Sequence, residues 1–444
     1  MKPLDAPRRA LSFDDNPPLS LPLRFFLSAP LFAALAAALL AWQGQDALLS
    51  RWSPHTLALT HLMVLGCLSM TMIGALMQIL PVVAGITVPR AGAVGAAVHA
   101  GLCVGTLLLA SAFWLEQTWL FRGAMALLLA TLLLFLGACT VGMWRQHAPG
   151  SGAVMAGIRL ALAALAVTMV LGGLLAGAFA WPGATGWPLA RLTDLHAMWG
   201  LQGWVGLLVI AIAFQVVPMF MVTPPYPALL TGGYTTVMFL LLTAASLSSG
   251  LQGPARLFHD ACTVLLGAGY GVFGACTLYL LARRTRPTAD PTTLYWRTAM
   301  ASLLAALVVW LWPAGEASNV RPLLLGVLLV AGVAQSAIHG MLYKIVPFLT
   351  WYHLREEAPG PGHKLPGINK IIPESRAKWQ FWTHAAALLL LLAACLRPDA
   401  LARPAAALMC VACLGLWYNL ATAARLYWRL RPASGSTLSV TAPT

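Results

Sequence analysis

Charge is what this sequence has least of. Only 9% of its 444 residues are Asp, Glu, Lys or Arg, and just 13 are acidic, where a soluble domain carries about 25% charged residues. A soluble globule cannot cover its surface with so few charges, which excludes a cytosolic enzyme, a secreted domain and a disordered chain. Loop cysteines are also missing. The eight cysteines, 67, 103, 139, 262, 276, 395, 410 and 413, lie almost entirely inside apolar runs, so no disulfide framework is expected. Cys410 and Cys413 sit three apart on one helix face, a spacing that suits a metal, but packing is the simpler account. There is no phosphate loop, nucleophile elbow or HExxH motif. No cleavable signal is evident, because residues 1–22 are polar and contain proline.

What is present is hydrophobic length. Apolar residues make up 59% of the chain, with a mean hydropathy of +0.78. The apolar runs are long and continuous, as in membrane helices, and lack the short alternating segments of a membrane β-barrel. The expected fold is an all-α polytopic membrane protein with about twelve transmembrane helices. The spans read 23–43, 54–83, 91–114, 119–144, 153–180, 192–221, 229–250, 258–283, 294–313, 320–350, 379–396 and 402–430. They leave a tail at 1–22, one membrane domain over 23–430 and a tail at 431–444.

The net charge of +14 belongs to short loops, where it sets topology and does not indicate nucleic acid. Nineteen Lys and Arg fall in the loops and tails of one side, seven on the other, and Lys344 lies inside a span. Positively charged loops stay inside, so both termini are expected in the cytoplasm of a bacterial inner membrane. The longest cytoplasmic connector, 351–378, reads as a docking surface for a partner subunit.

The chain also repeats. The second, sixth and tenth spans carry GALMQILPVV, AIAFQVVPMF and GMLYKIVPFL. Each places a long polar side chain, Gln78, Gln215 or Lys344, three residues before a proline, Pro81, Pro218 or Pro347. The prolines are 137 and 129 residues apart, room for four spans each. The expectation is three pseudo-repeats of four helices, 23–144, 153–283 and 294–430. The pairs Gly172–Gly173 and Gly232–Gly233 read as close helix contacts.

Ionisable groups inside a membrane are costly and default to functional candidates. His61, His99, His196 and His339 lie within spans, and His259 opens one. Imidazole suits haem iron and copper. His55 and His384 fall near span ends, where interfacial solvation accounts for them, and His147, His353 and His363 fall in cytoplasmic segments. His61 precedes Pro81 by 20 residues and His196 precedes Pro218 by 22, which places both roughly 30 Å from the cytoplasmic end at about 1.5 Å per residue. His339 precedes Pro347 by only 8 residues, about 12 Å. An outer layer of His61, His196 and His259 thus faces a deeper layer of His99 and His339, although a tilted haem joining His61 to His339 stays open. Lys344 is placed either to snorkel or to pair with a haem propionate. Asp194 and Asp260 each lie within two residues of a histidine, as an orienting carboxylate or, for Asp194, as a helix cap.

Twelve spans in three groups of four, with histidines on helices 2, 6 and 10, resemble the catalytic-subunit fold of the haem–copper oxidase superfamily. The segments THLMVLGCLSMTMIGALMQILPVVAG and HGMLYKIVPFLTWYHL look most like short relatives of oxidase and nitric oxide reductase large subunits. The haem–copper membrane proteins of the nitric oxide response are similar in layout. The resemblance implies that His61 and His339 bind a low-spin, b-type haem and that His196 corresponds to a metal ligand. It departs at helix 7, LLTGGYTTVMFLLLTAASLSSG, which has no histidine, and at helix 10, which has only His339. The family's usual copper centre is therefore not expected. A haem-binding protein in respiratory electron transfer or nitric oxide metabolism follows, with haem at His61, His339, His196, His99 and Lys344, copper as a further candidate at His196 and His259, and a redox subunit or quinol as electron partner. A transporter or metal-ion permease is the alternative, and a structural partner of a respiratory complex the third reading.

Overall fold

The computed structural model describes residues 17–146, 152–183, 186–312, 319–357 and 365–431. His147 and His363 lie outside them. Among the described residues, eleven helices are long and apolar enough to cross a membrane. They are α1 (Ser20–Leu48), α2 (Pro54–Val82), α3 (Ala91–Leu115), α4 (Thr118–Arg145), α5 (Gly152–Ala180), α6 (Leu189–Met221), α8 (Gly253–Ala282), α9 (Pro291–Leu311), α10 (Val320–Glu357), α11 (Glu374–Leu396) and α12 (Pro398–Leu430). The seventh apolar helix, α7 (Tyr234–Ser248), is shorter. The protein is an all-α polytopic membrane protein, as the composition requires.

Two boundaries differ from expectation. The run 229–250 does not form one helix. Ala228–Thr231 makes a single turn, and Gly233 then adopts φ 134°, a conformation open to glycine, before α7 starts. Gly232–Gly233 is thus a break, and no atom lies within 4 Å of a Cβ placed at Gly233. The predicted loop 351–378 is also mostly helical, because α10 runs ten residues past Pro347 to Glu357 and α11 begins at Glu374. Proline need not end a helix in lipid where neighbouring segments re-satisfy the freed backbone groups, and Pro81, Pro218 and Pro347 all lie inside their helices.

The three-part repeat has a structural counterpart. In α2, α6 and α10 an eight-residue stretch winds as a π-helix, at Leu62–Ser69, Trp199–Gly206 and Leu328–Gln335. Each ends twelve residues before its proline, Ser69 before Pro81, Gly206 before Pro218 and Gln335 before Pro347. Each also carries a glycine in the same slot, Gly66, Gly203 and Gly332, where a Cβ would come within 2.4–2.8 Å of Phe32, Ala164 and Ser302 respectively. These glycines let α2, α6 and α10 press against α1, α5 and α9.

α2, α6 and α10 form the centre. In their apolar windows 72, 56 and 61% of residues are buried, against 22–39% in α3, α4, α5, α8 and α9. The other helices pack around them in chain order, and α12 closes against α1. The Trp204 indole donates to Ser69 Oγ (3.0 Å), joining the widened stretches of α6 and α2. Toward the end bearing Pro81, Pro218 and Pro347, the three central helices and Val154 of α5 line a partly open cavity of about 90 Å³. Its lining includes the repeat-equivalent triads Ile79/Val216/Ile345 and Val82/Met219/Phe348, so it lies on the pseudo-three-fold axis. It is apolar apart from the amides of Gln78 and Gln215.

Candidate functional site

Two imidazole pairs stand out. The first joins His61 at the start of the π stretch of α2 to His196, three residues before that of α6. Their ring centroids are 6.3 Å apart with planes 20° from parallel. His61 Nδ1 lies 2.7 Å from the Leu57 carbonyl oxygen, and His196 Nδ1 lies 3.1 Å from that of Thr168 on α5. A carbonyl oxygen only accepts, so each Nδ1 carries the proton and donates it. Each Nε2 is then left with its lone pair, the tautomer of a metal-ligating histidine held by an outer hydrogen bond. A metal bound by both Nε2 atoms at about 2.0–2.1 Å, plus roughly 1 Å from each nitrogen to its ring centre, spans about 6 Å between centroids when the two bonds are collinear. The observed spacing is of the length at which His61 and His196 would both reach one metal.

The surroundings suit a large flat ligand. Phe113 stacks on His61 (5.3 Å, 25°), and Phe121 and Phe179 extend the aromatic wall. A Cβ at Gly172 would lie 2.9 Å from His196 Cε1, so this glycine is what admits the ring beside α5. The helix segments here lie at the surface of the bundle. Residues 166–179 of α5 include none that is buried, and neither does the Leu189–Met198 segment of α6. The donor set and the aromatic wall fit a haem. At these helix ends the cations are Arg51, Arg122 and Arg191, bonded to Asp194 (2.6 Å), the Ala180 carbonyl (3.0 Å) and Ser249 Oγ (3.0 Å).

The second pair joins His339 of α10 to His384 of α11, with centroids 5.2 Å apart and planes at 58°. Tyr295 of α9 touches both rings. Its hydroxyl donates to Gln380 Oε1 (2.6 Å), which also accepts from the Tyr343 hydroxyl (3.0 Å). Asn419 Nδ2 donates to the Tyr343 oxygen (2.9 Å), and Gln380 Nε2 donates to the Ala412 carbonyl (3.0 Å). Tyr295, Gln380, His384 and His339 are all at most 1% exposed.

His384 is the residue that sequence reasoning missed. It was assigned to an interface because α11 was expected to start at residue 379. The helix starts at Glu374, so His384 lies ten residues in, one turn after Gln380. His353, assigned to a loop, is likewise in α10 and only 7% exposed.

The other candidates have local partners. His339 does not meet His61. The two lie 8 and 20 residues before their prolines, a difference of about 18 Å along equivalent helices. His99 Nε2 is 2.8 Å from Ser28 Oγ, and its ring meets the edge of Phe25. His259 Nδ1 donates to the Ala245 carbonyl (3.0 Å), pinning α8 to the end of α7, with no ring contact to His196 among the described residues. Lys344 neither snorkels alone nor faces the imidazoles. It pairs with Asp290, which caps α9 through Thr293 (Nζ–Oδ2 2.5 Å). Partial burial pushes the Asp290 carboxyl up, but the Lys344 ammonium and the Thr293 donors outweigh it and hold it below its ordinary value. Asp194 pairs with Arg51 and does not cap α6, whose N-cap is Pro188. Asp260 lies near Arg256 (3.8 Å). Among the described residues, no three His, Cys, Asp or Glu side chains gather as a metal cluster, and Cys413 is instead bonded by Gln335 (3.4 Å).

No protein-family model matches the chain, and no curated protein matches it.

Proposed function

We propose that this chain is a haem-binding protein of a bacterial inner membrane, with both termini and the basic loops in the cytoplasm. His61 of α2 and His196 of α6 would hold a b-type haem near the outer face. The observation that carries this is the spacing and near-parallel setting of the two rings, with both Nδ1–H groups anchored on carbonyls.

Leu57 and Thr168 fix the tautomer and make each Nε2 a better donor. Phe113, Phe121 and Phe179 exclude water from the ring faces. A bound haem would supply reversible one-electron iron chemistry. A haem held by both histidines would suit electron relay better than gas reduction. A redox subunit or quinol is the partner class, in respiration or in nitric oxide metabolism, and the resemblance to haem–copper oxidase subunits points the same way. The permease alternative has less support, because the axial cavity has an almost wholly apolar lining and Lys344 is tied to Asp290.

The test is a reduced-minus-oxidised spectrum of the purified full-length protein, with a pyridine haemochrome assay. An α band in the wild type that disappears in His61→Ala and His196→Ala supports the proposal. A haem-free wild type, or a band that survives both substitutions, rejects it.

A further inference from the structure

We infer that His339 and His384 form a binding site for one copper(I) ion, separate from the outer imidazole pair. The site is built from α10 and α11 and does not depend on haem.

Three of its four ring nitrogens have no hydrogen-bond partner within the protein, both of His339 and Nδ1 of His384. The fourth, His384 Nε2, is 2.9 Å from Ser336 Oγ. Ser336 in turn donates to the Ala331 carbonyl (3.3 Å), its fifth residue back, where the π stretch of α10 ends. With the serine proton committed to that carbonyl, His384 Nε2 carries its own proton and Nδ1 is a bare lone pair. Leaving such groups buried and unpaired is costly, and coordination to a metal removes part of that cost.

The spacing fits coordination of a different shape from the outer pair. A metal about 3.1 Å from each ring centre, from a metal–nitrogen bond of about 2.0–2.1 Å, would bring centroids to 5.2 Å at a ligand–metal–ligand angle near ~110°. At that angle the two rings would supply two donors of a three-coordinate ion.

The choice of ion follows from charge. Tyr295, Ser336, Gln380 and Phe381 around the pair are neutral and nearly fully buried, and no carboxylate or thiolate joins the two rings. A divalent ion would bring two uncompensated charges into a dry interior, at a steep desolvation cost. Copper(I) brings one, accepts neutral imidazole and is stable with two or three ligands.

The full-length protein, expressed with copper and purified in detergent, tests this through metal content and X-ray absorption. The wild type should retain close to one copper per chain after chelator washing, silent in electron paramagnetic resonance, with two or three nitrogen neighbours at about 2.0 Å. His339→Leu and His384→Leu should each lower copper at least tenfold while leaving any haem band in place, whereas His61→Ala should leave copper unchanged. Copper-free or zinc-loaded wild type overturns the proposal, as does copper retained by both leucine variants. Should those variants misfold, the wild-type absorption spectrum decides alone, and a first shell without imidazole scattering overturns it. Loss of haem with copper intact strikes only the proposed function.

Discussion

The two imidazole pairs sit in the same bundle but are embedded in opposite ways. At the outer pair each ring is tied down by a carbonyl, and the helix segments around it lie at the surface of the bundle. At the inner pair the rings are sealed among buried aromatic and amide side chains, and most of their nitrogens are unbonded. The first orients its ring nitrogens at the edge of the bundle. The second seals its rings in and leaves donors bare. An anchored ring at the bundle's edge suits a large planar guest, and an unanchored ring in a closed space suits a single ion.

The sharpest break in that comparison comes from removing an outer ligand. His61→Ala should lower haem per chain by roughly tenfold or more, read from the Soret band, while His339→Leu leaves it near wild type. Equal losses in both variants would erase the distinction.

Two glycines probe the packing difference next. A Cβ at Gly340 would meet Tyr295 Cβ at 2.8 Å and the Thr292 carbonyl at 3.3 Å, atoms close to the backbone that cannot swing aside. Gly340→Ala should cost about 1–3 kcal/mol of stability, seen in thermal melts of the detergent-solubilised protein, with haem retained. At Gly172 the obstacle is the His196 ring itself, a side chain that can shift by giving up its single hydrogen bond to the Thr168 carbonyl. Gly172→Ala should therefore cost under about 1 kcal/mol of stability yet shift or weaken the haem band. The reverse ranking would mean that the outer region is the tighter one.

Tyr295→Phe removes one of the two hydroxyls on Gln380 Oε1. The remaining bond from Tyr343 keeps the oxygen satisfied, so the cost should be only about 0.5–1.5 kcal/mol, with the haem spectrum unchanged.

The smallest effect concerns pH. Asp290 is held below its ordinary value when folded. Its contribution is complete above the unfolded carboxyl value of about 3.9 and fades as pH falls through the lower folded value. Asp290→Asn should remove about 1 kcal/mol at neutral pH and flatten the acid limb of the melting curve. An unchanged limb would show that Lys344 gains nothing from its partner.

Much of the fold was legible because a membrane writes its demands as length and hydropathy, and the Gln/Lys-x-x-Pro spacing exposed the repeat. The glycines at 66, 203 and 332 carry the same spacings of 137 and 129 residues and were readable in principle. Two things hid the site. Counting back from the prolines already sets His61 and His196 in one layer and His339 in a deeper one, and it was the family resemblance that joined His339 to His61. Helix ends set by polar residues are blurred in sequence, since the stretch from Glu374 to Lys378 reads as loop yet forms the first turn of α11, and that displaced His384 to an interface. Pairing across α10 and α11 is a tertiary fact that neither segment encodes alone.

The swollen turns of α2, α6 and α10 also carry a history. A π-helix arises when a regular helix takes in an extra residue without rebuilding its flanks. Had each copy gained its own insertion, the three would not all close twelve residues ahead of a proline with a glycine in the same slot. The widened turn therefore belongs to the repeated unit itself, set at one level in all three central helices, whereas the histidines share no common slot and differ from one copy to the next.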